Sequence, residues 1–237
     1  MINKIVRSAA EAVSEIHDGA TVMIGGFGEA GSPIELIHAL IDHGAKDLTV
    51  VSNNTGSGHV GLAALIENKQ VAKTICSFPR TANSKVFPEL YHAGKIELEL
   101  VPQGTLAERI RAGGAGIPAF YTPASINTPL AEGKESRVIK GQEYVLEYGI
   151  KANFALVKAE TADRYGNLLY HATARNFGPI MCTASKVAIV QAKKIVEAGR
   201  IDPETVVTPG IFVQKVIEIN NPVDESQLVE EEMSYPW

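Results

Sequence analysis

Asn53, Asn54 and Gln103 are residues of this 237-residue chain whose type and placement suit chemistry. Asn53 and Asn54 follow the apolar run Leu48-Thr49-Val50-Val51, and Gln103 follows a run that ends at Val101-Pro102. Neutral amide donors fixed at strand ends can stabilise negative charge developing on an oxygen, each worth roughly 3 kcal/mol when removed from such a site. The same residue types also end strands as plain turn formers. For Ser52-Asn53-Asn54 taken alone the turn reading is favoured. The carboxylates offer less. Glu29 lies inside a glycine loop and reads as a loop residue, and Glu147 lies on an expected hairpin strand and reads as a structural or edge charge. His59 reads as a loop histidine. No G-x-S-x-G elbow is present, so a serine-triad reading fails. Cys76 and Cys182 each follow an apolar residue and read as buried thiols. Neither has Cys or His neighbours at zinc-ligand spacing, so no metal is expected.

The stretch that organises the chain precedes these residues. Thr21-Val22-Met23-Ile24 is a short β-branched run that predicts a buried strand. Gly25, Gly26, Phe27, Gly28, Glu29, Ala30 and Gly31 follow, and Ser32-Pro33 opens an amphipathic segment with Ser32 as expected N-cap and Pro33 as first helical residue. Glycines let backbone approach a ligand closely, and helix N-termini favour anions. A tight strand-to-helix turn with no ligand fits the glycines equally well. A dinucleotide fingerprint fits poorly, because Asp47 precedes the next strand instead of ending it. No Walker sequence occurs.

The elements that must hold these residues alternate. Helices are expected over 4–17, 34–43, 60–67, 83–93, 105–111 and most of 180–198. Strands are expected over 21–24, 48–51, 71–77, 96–101, 154–159, 168–171 and 212–219. A Gly/Pro-rich loop is expected over 113–135 and a β-hairpin about Lys140-Gly141. This pattern predicts an α/β class: an open, mainly parallel sheet flanked by helices, with a β-hairpin insertion. Ligands in such sheets sit beyond the C-terminal strand ends. Residues 25–31, 52–58 and 102–104 fall at such ends and are expected to converge.

Composition sets the remaining bounds. Net charge is −5 and the isoelectric point about 5.7, which argues against nucleic acid as a partner. No apolar run is long enough to span a bilayer. The N-terminus lacks the features of a secretory or transit peptide, so a cytoplasmic location is expected. Asp224, Glu225, Glu230, Glu231 and Glu232 carry five negative charges after the last basic residue, Lys215. One domain over residues 1–219 is expected, followed by an acidic tail over 220–237 of the kind that is usually solvated.

The wording of the glycine stretch, Asp18-Gly19 through Gly25-Gly26-Phe27 to Gly31-Ser32-Pro33, resembles the signature of the family I coenzyme A transferases, in their α subunit. The resemblance continues through Ser52-Asn53-Asn54, Pro102-Gln103-Gly104-Thr105-Leu106-Ala107-Glu108-Arg109, Gly113-Gly114-Ala115-Gly116 and Ala174-Arg175-Asn176-Phe177, to about Ile219. It implies transfer of CoA between carboxylic acids through a glutamyl-CoA thioester, with the nucleophilic glutamate on a separate polypeptide, the β subunit. It implies a heteromer, α2β2 or higher, with CoA as a substrate and no permanently bound cofactor. By the same resemblance Gln103 with Asn53 or Asn54 lines the site near that glutamyl group, and the glycine loop serves the CoA region. For Gly113–Gly116, a CoA role and a turn role stand equal. Ser77-Phe78-Pro79-Arg80 looks more like the 3-oxoadipate branch than the acetoacetate branch. Arg80 would then clamp the second carboxylate of that acid, with succinyl-CoA as CoA donor. The rival readings are a sugar-phosphate isomerase or ligand-sensing module, since related sheets host those roles, and a non-catalytic scaffold.

Overall fold

The computed structural model describes residues 2–80 and 83–237; Met1, Thr81 and Ala82 lie outside them. The first part of the chain alternates: α1 (Ala9–Val13), β1 (Thr21–Ile24), α2 (Ile34–His43), β2 (Leu48–Val51), α3 (Gly61–Glu67), β3 (Val71–Cys76), α4 (Val86–His92), β4 (Glu97–Leu100) and α5 (Gln103–Gly114). Then come β5 (Ala119–Thr122), β6 (Ser136–Ile139), β7 (Gln142–Tyr148), β8 (Ala152–Asp163), β9 (Leu168–Leu169), α6 (Gly178–Ala184), β10 (Ser185–Val196), β11 (Lys215–Glu218) and α7 (Glu225–Glu230).

The main sheet runs β11-β10-β8-β1-β2-β3-β4, with every neighbouring pair parallel; β9 adds an antiparallel turn-back on β8. Successive strands step outward from β1 on one side, and the later strands fill the other. Strand side chains alternate between the two faces, and the core divides accordingly. Val22 and Ile24 pack with Leu36, Ile37, Leu40 and Leu65 beneath α1–α3, whereas Met23 packs with Leu106, Ile110, Val157 and Met181 beneath α5 and α6. Both faces are therefore covered, as a parallel sheet requires.

The three-stranded antiparallel sheet β5-β7-β6 is the hairpin insertion, turned by Lys140 (φ 50°) and Gly141 (φ 82°). Arg109 on α5 pins it. Its Nε donates to the Tyr148 carbonyl at 2.9 Å, and its guanidinium pairs with Glu99 at 2.7 Å. Glu147 is buried there and held by Lys134 at 2.5 Å, which gives it a structural role.

Four expected elements differ. Residues 180–198 form a short helix and then the long strand β10, not one helix. Val187 to Val190 is apolar on both faces because β10 lies between β8 and β11, and such a run carries no period that separates strand from buried helix. The helix expected over 4–17 shrinks to α1, because residues 4–6 run extended along β11 through backbone bonds between Lys4, Val6 and Val216. α5 begins at Gln103 and takes in Gly113 and Gly114, so the expected loop over 113–135 starts later and contains β5. The tail is folded: α7 and the residues after it lie on the body of the protein, with Glu225 buried.

Candidate functional site

The expected convergence is present. β1, β2, β3 and β4 all end on one side of the sheet, and the residues that follow them meet there. Ser77 N and Phe78 N donate to the Asn53 carbonyl at 3.2 and 3.0 Å, tying the chain after β3 to the chain after β2. Val101 N donates to the Cys76 carbonyl at 3.0 Å, tying β4 to β3. These backbone bonds bring Gln103, the first residue of α5, beside Asn53.

Asn53 and Gln103 are directly bonded. The Gln103 Nε2 donates to Asn53 Oδ1 at 2.8 Å, and the Ser77 hydroxyl donates to the same oxygen at 3.0 Å. Asn53 is 4% exposed, so its carboxamide is fixed. Gln103 is exposed, and its amide nitrogen carries two N–H groups, of which this bond uses one. The second remains for a ligand oxygen. Ser77 is a member of this cluster that sequence reasoning missed, since a serine after a strand has no distinguishing neighbours.

Asn54 has a different task. Its Oδ1 accepts from Gly56 N at 2.8 Å, and its Nδ2 reaches the Gly28 carbonyl at 3.4 Å. It spans from the β2 end to the glycine loop. That loop is built by close approach on the other side. Gly25 N donates to the Leu156 carbonyl of β8 at 2.9 Å. Asn176 Oδ1 accepts from Gly26 N at 3.2 Å, and its Nδ2 donates to the Ala30 carbonyl at 2.8 Å. A Cβ at Gly31 (φ 82°) would stand 2.5 Å from the Ala174 carbonyl oxygen. Gly31 is thus required where the loop crosses residues 174–176, and Asn176 is the bracket beneath it. Ser32 caps no helix: α2 starts at Ile34 with Pro33 in the cap position, and the Ser32 side chain is hydrogen-bonded with Glu225 instead.

Between Gly25, Gly26 and Gly28 on one side and Ser52, Asn53, Asn54 and Gly56 on the other lies a narrow crevice closed by Glu225. Its free volume is about 10 Å³, room for about one water molecule. A wider cleft of about 550 Å³ opens beyond Glu29, Ala30 and Gly31, with Lys158, His171 and Lys193 among its walls. Phe27 in the glycine loop and Phe78 after β3 are 53% and 58% exposed. Arg80 is exposed two residues past Phe78. Glu29 accepts from the Ser226 hydroxyl at 2.8 Å. His59 pairs with Glu67 at 2.9 Å and takes no part in the crevice.

Gly113 and Gly114 are packing residues. A Cβ on Gly113 would fall 1.9 Å from the Ile150 carbonyl oxygen, and one on Gly114 would fall 2.3 Å from Thr183 Oγ1. Burial pushes the Cys76 and Cys182 thiols up to about 12, so neither is a nucleophile. Among the described residues no group of three or more His, Cys, Asp or Glu is placed to hold a metal ion.

The arrangement therefore offers polarised amide donors and closely approachable backbone in a cleft, and no activated nucleophile among the described residues. Comparison with known proteins points the same way. The chain is 59% identical over 220 residues to the α subunit of the 3-oxoadipate CoA-transferase of Pseudomonas putida, covering 93% of this chain and 95% of that one. It is 52% identical over 216 residues to the α subunit of a probable succinyl-CoA:3-ketoacid coenzyme A transferase of Bacillus subtilis, covering 91% and 90%. In fold it superposes on an acyl-CoA transferase of Escherichia coli O157:H7 with a TM-score of 0.82 at 22% identity, over 94% of this chain and half the length of that one. It also superposes on glutaconate coenzyme A-transferase of Acidaminococcus fermentans with a TM-score of 0.81 at 19% identity, over 91% and 75%. A sequence model of one family, described as Coenzyme A transferase, matches residues 6–219, which takes in every residue of the amide cluster and the glycine loop. The chain belongs to the coenzyme A transferase family.

Proposed function

We propose that this chain is the α subunit of a heteromeric transferase that moves CoA from succinyl-CoA to a 3-oxo acid, with 3-oxoadipate as acceptor. The observation that carries the reading is the bonded pair Gln103–Asn53, steadied by Ser77, with Asn53 in the wall of the narrow crevice beside the glycine loop. Attack on a thioester carbonyl places negative charge on its oxygen. The bond to Asn53 holds the Gln103 amide and leaves its second N–H for a ligand oxygen, and a donor held in this way needs little reorganisation as the charge forms. The α-subunit relatives named for 3-oxoadipate support the acceptor. An exposed guanidinium at Arg80 suits a second carboxylate, which a dicarboxylic acceptor has and acetoacetate lacks.

The bond-forming carboxylate belongs to the partner, the CoA-transferase β subunit, in this reading. Of the glutamates that line the cleft, Glu29 is engaged by Ser226, Glu160 is paired with Lys193 at 3.6 Å, and Glu225 is buried. The assembly is α2β2 or larger and works in the cytoplasm.

Activity of this chain co-expressed with its partner is the test. Acyl exchange is expected from the pair and not from the isolated chain, with a covalent CoA adduct on the partner polypeptide. Exchange by the isolated chain, or an adduct on one of its own glutamates, overturns the reading. Acetoacetate outperforming 3-oxoadipate overturns the acceptor assignment alone.

A further inference from the structure

The C-terminal residues lie outside the span that matches the family, yet they form part of the crevice. α7 meets the glycine-loop wall and the segment that continues the other wall toward α3. On the glycine-loop side, the Ser226 hydroxyl donates to Glu29, and the Glu225 carboxyl is hydrogen-bonded with the Ser32 side chain. Those two contacts grip the loop where it turns toward α2. On the other side, α7 lies against glycines. A Cβ at Gly61 (φ 51°) would stand 2.9 Å from Glu225 Oε1, and one at Gly58 (φ 59°) 3.2 Å from Val229 Cγ2. Further along, Tyr235 N donates to the His59 carbonyl at 2.9 Å, and the Tyr235 ring stacks on His38 at 3.8 Å.

Glu225 is the centre of this arrangement. It is 7% exposed, and its Oε2 is buried with no hydrogen-bond partner among the described residues. A long acidic side chain is rarely buried without a cation beside it, so this placement needs a reason.

We propose that Glu225 is a positioning residue of the transfer site, clamping α7 across the crevice so that the glycine loop and the Asn53–Asn54 wall keep a fixed separation. The clamp deepens the function proposed above, and only its activity readout rests on that reading. The charged groups around Glu225 are Glu29 on the loop, Glu35 on α2 and Lys158 on β8, with Asp224 next to it in the chain. His38, against Gly61 and Tyr235, is the other titratable neighbour. Burial and the two flanking carboxylates hold the Glu225 carboxyl up at about 7. The clamp is therefore strongest with Glu225 neutral and loosens as pH rises through that value.

Amide hydrogen exchange of residues 25–32 in the full chain tests the clamp without reference to activity. Glu225→Gln mimics the neutral acid and keeps the contact with Ser32. Protection of the loop in wild type relative to E225Q is expected to fall about tenfold between pH 6 and pH 8, by proton linkage. His38 is common to both proteins, so its titration cancels from the ratio. Ser226→Ala is expected to lower protection at all pH values. In the co-expressed heteromer, Glu225→Ala is expected to raise KM for the acyl-CoA more than it lowers kcat, and E225Q to restore wild-type KM. A pH-independent ratio, or unchanged loop protection in both S226A and E225A, overturns the clamp. So does a rise in kcat/KM for E225A, which marks α7 as an obstructing cover. A heteromer that moves no CoA, with the exchange pattern intact, removes the functional reading and leaves the clamp.

Discussion

At the scale of single residues, the site is a set of amides whose directions are set by one another. Asn53 Oδ1 takes two donors, Gln103 and Ser77, and this leaves Gln103 with one N–H to offer. Gln103→Ala is expected to lower kcat of the heteromer by about 10²–10³ with little change in KM, because the donor matters most where charge develops. Steady-state kinetics of the reconstituted pair check this, and an effect confined to KM contradicts the oxyanion role. The two cysteines give a contrasting expectation. Both thiols are held up at about 12 by burial, so iodoacetamide at pH 8 is expected to leave the native protein unmodified and to label both after denaturation. Mass spectrometry of intact protein reads the outcome.

At the scale of elements, the site depends on how α5 is seated. α5 carries Gln103 at its first residue and contacts the rest of the protein through Gly113 and Gly114 at its other end. Gly113 meets the Ile150 backbone with no room for a methyl group. Gly113→Ala is expected to destabilise the fold by about 3 kcal/mol, since backbone must move to admit the added carbon. Gly104 lies in the same helix with open space at its Cβ position. Gly104→Ala is expected to be neutral or to stabilise by up to about 1 kcal/mol, through lower entropy of the unfolded chain. Urea unfolding of both variants checks the contrast, and equal effects contradict the packing account. Arg109 completes the seating by joining α5 to the three-stranded sheet and to Glu99.

At the scale of the whole molecule, two buried titratable groups where the tail meets the body pull stability in opposite directions. His38 is held down at about 4 by burial, which keeps its Nε2 neutral to accept from Gly61 N at 3.0 Å. An imidazole lowered in the folded state stabilises fully above its unfolded value of about 6.5, and that contribution is lost as pH falls toward 4. Glu225 is a carboxyl raised to about 7. Its contribution is greatest below the unfolded value of about 4.3 and is lost as pH rises toward 7. The two slopes offset each other between roughly pH 4.5 and 6.5. Melting temperatures over that range are expected to be nearly flat in wild type. They are expected to fall with rising pH in His38→Gln and to fall with acidification in Glu225→Gln. Parallel pH profiles for all three proteins contradict this assignment.

Much of the site is legible in the sequence because it follows local rules. β-branched runs set β1 and β2, Gly44 ends α2 in a left-handed turn, and Lys140-Gly141 turns the hairpin. Strand ends in a parallel sheet then bring residues 25–31, 52–54 and 103 to one side, so their convergence is legible from residue order, whereas a role for Asn53, Asn54 and Gln103 comes from the family resemblance. The features that escape the sequence depend on partners far along the chain. β10 reads as a helix because burial on both faces erases the period that tells strand from helix. Gly113 and Gly114 read as loop or ligand glycines because the surface that demands them, Ile150 and Thr183, lies elsewhere in the sequence. Ser32 reads as an N-cap, and its actual partner is 193 residues away at Glu225. The acidic tail reads as solvated because its charge is visible locally, whereas its docking rests on Gly58, Gly61 and His38. The sequence by itself determined which residues stand at the strand ends and what chemistry their amides allow. The tertiary structure alone decided which of them touch and which carboxyl closes the crevice, because those contacts join segments whose spacing in the chain carries no period.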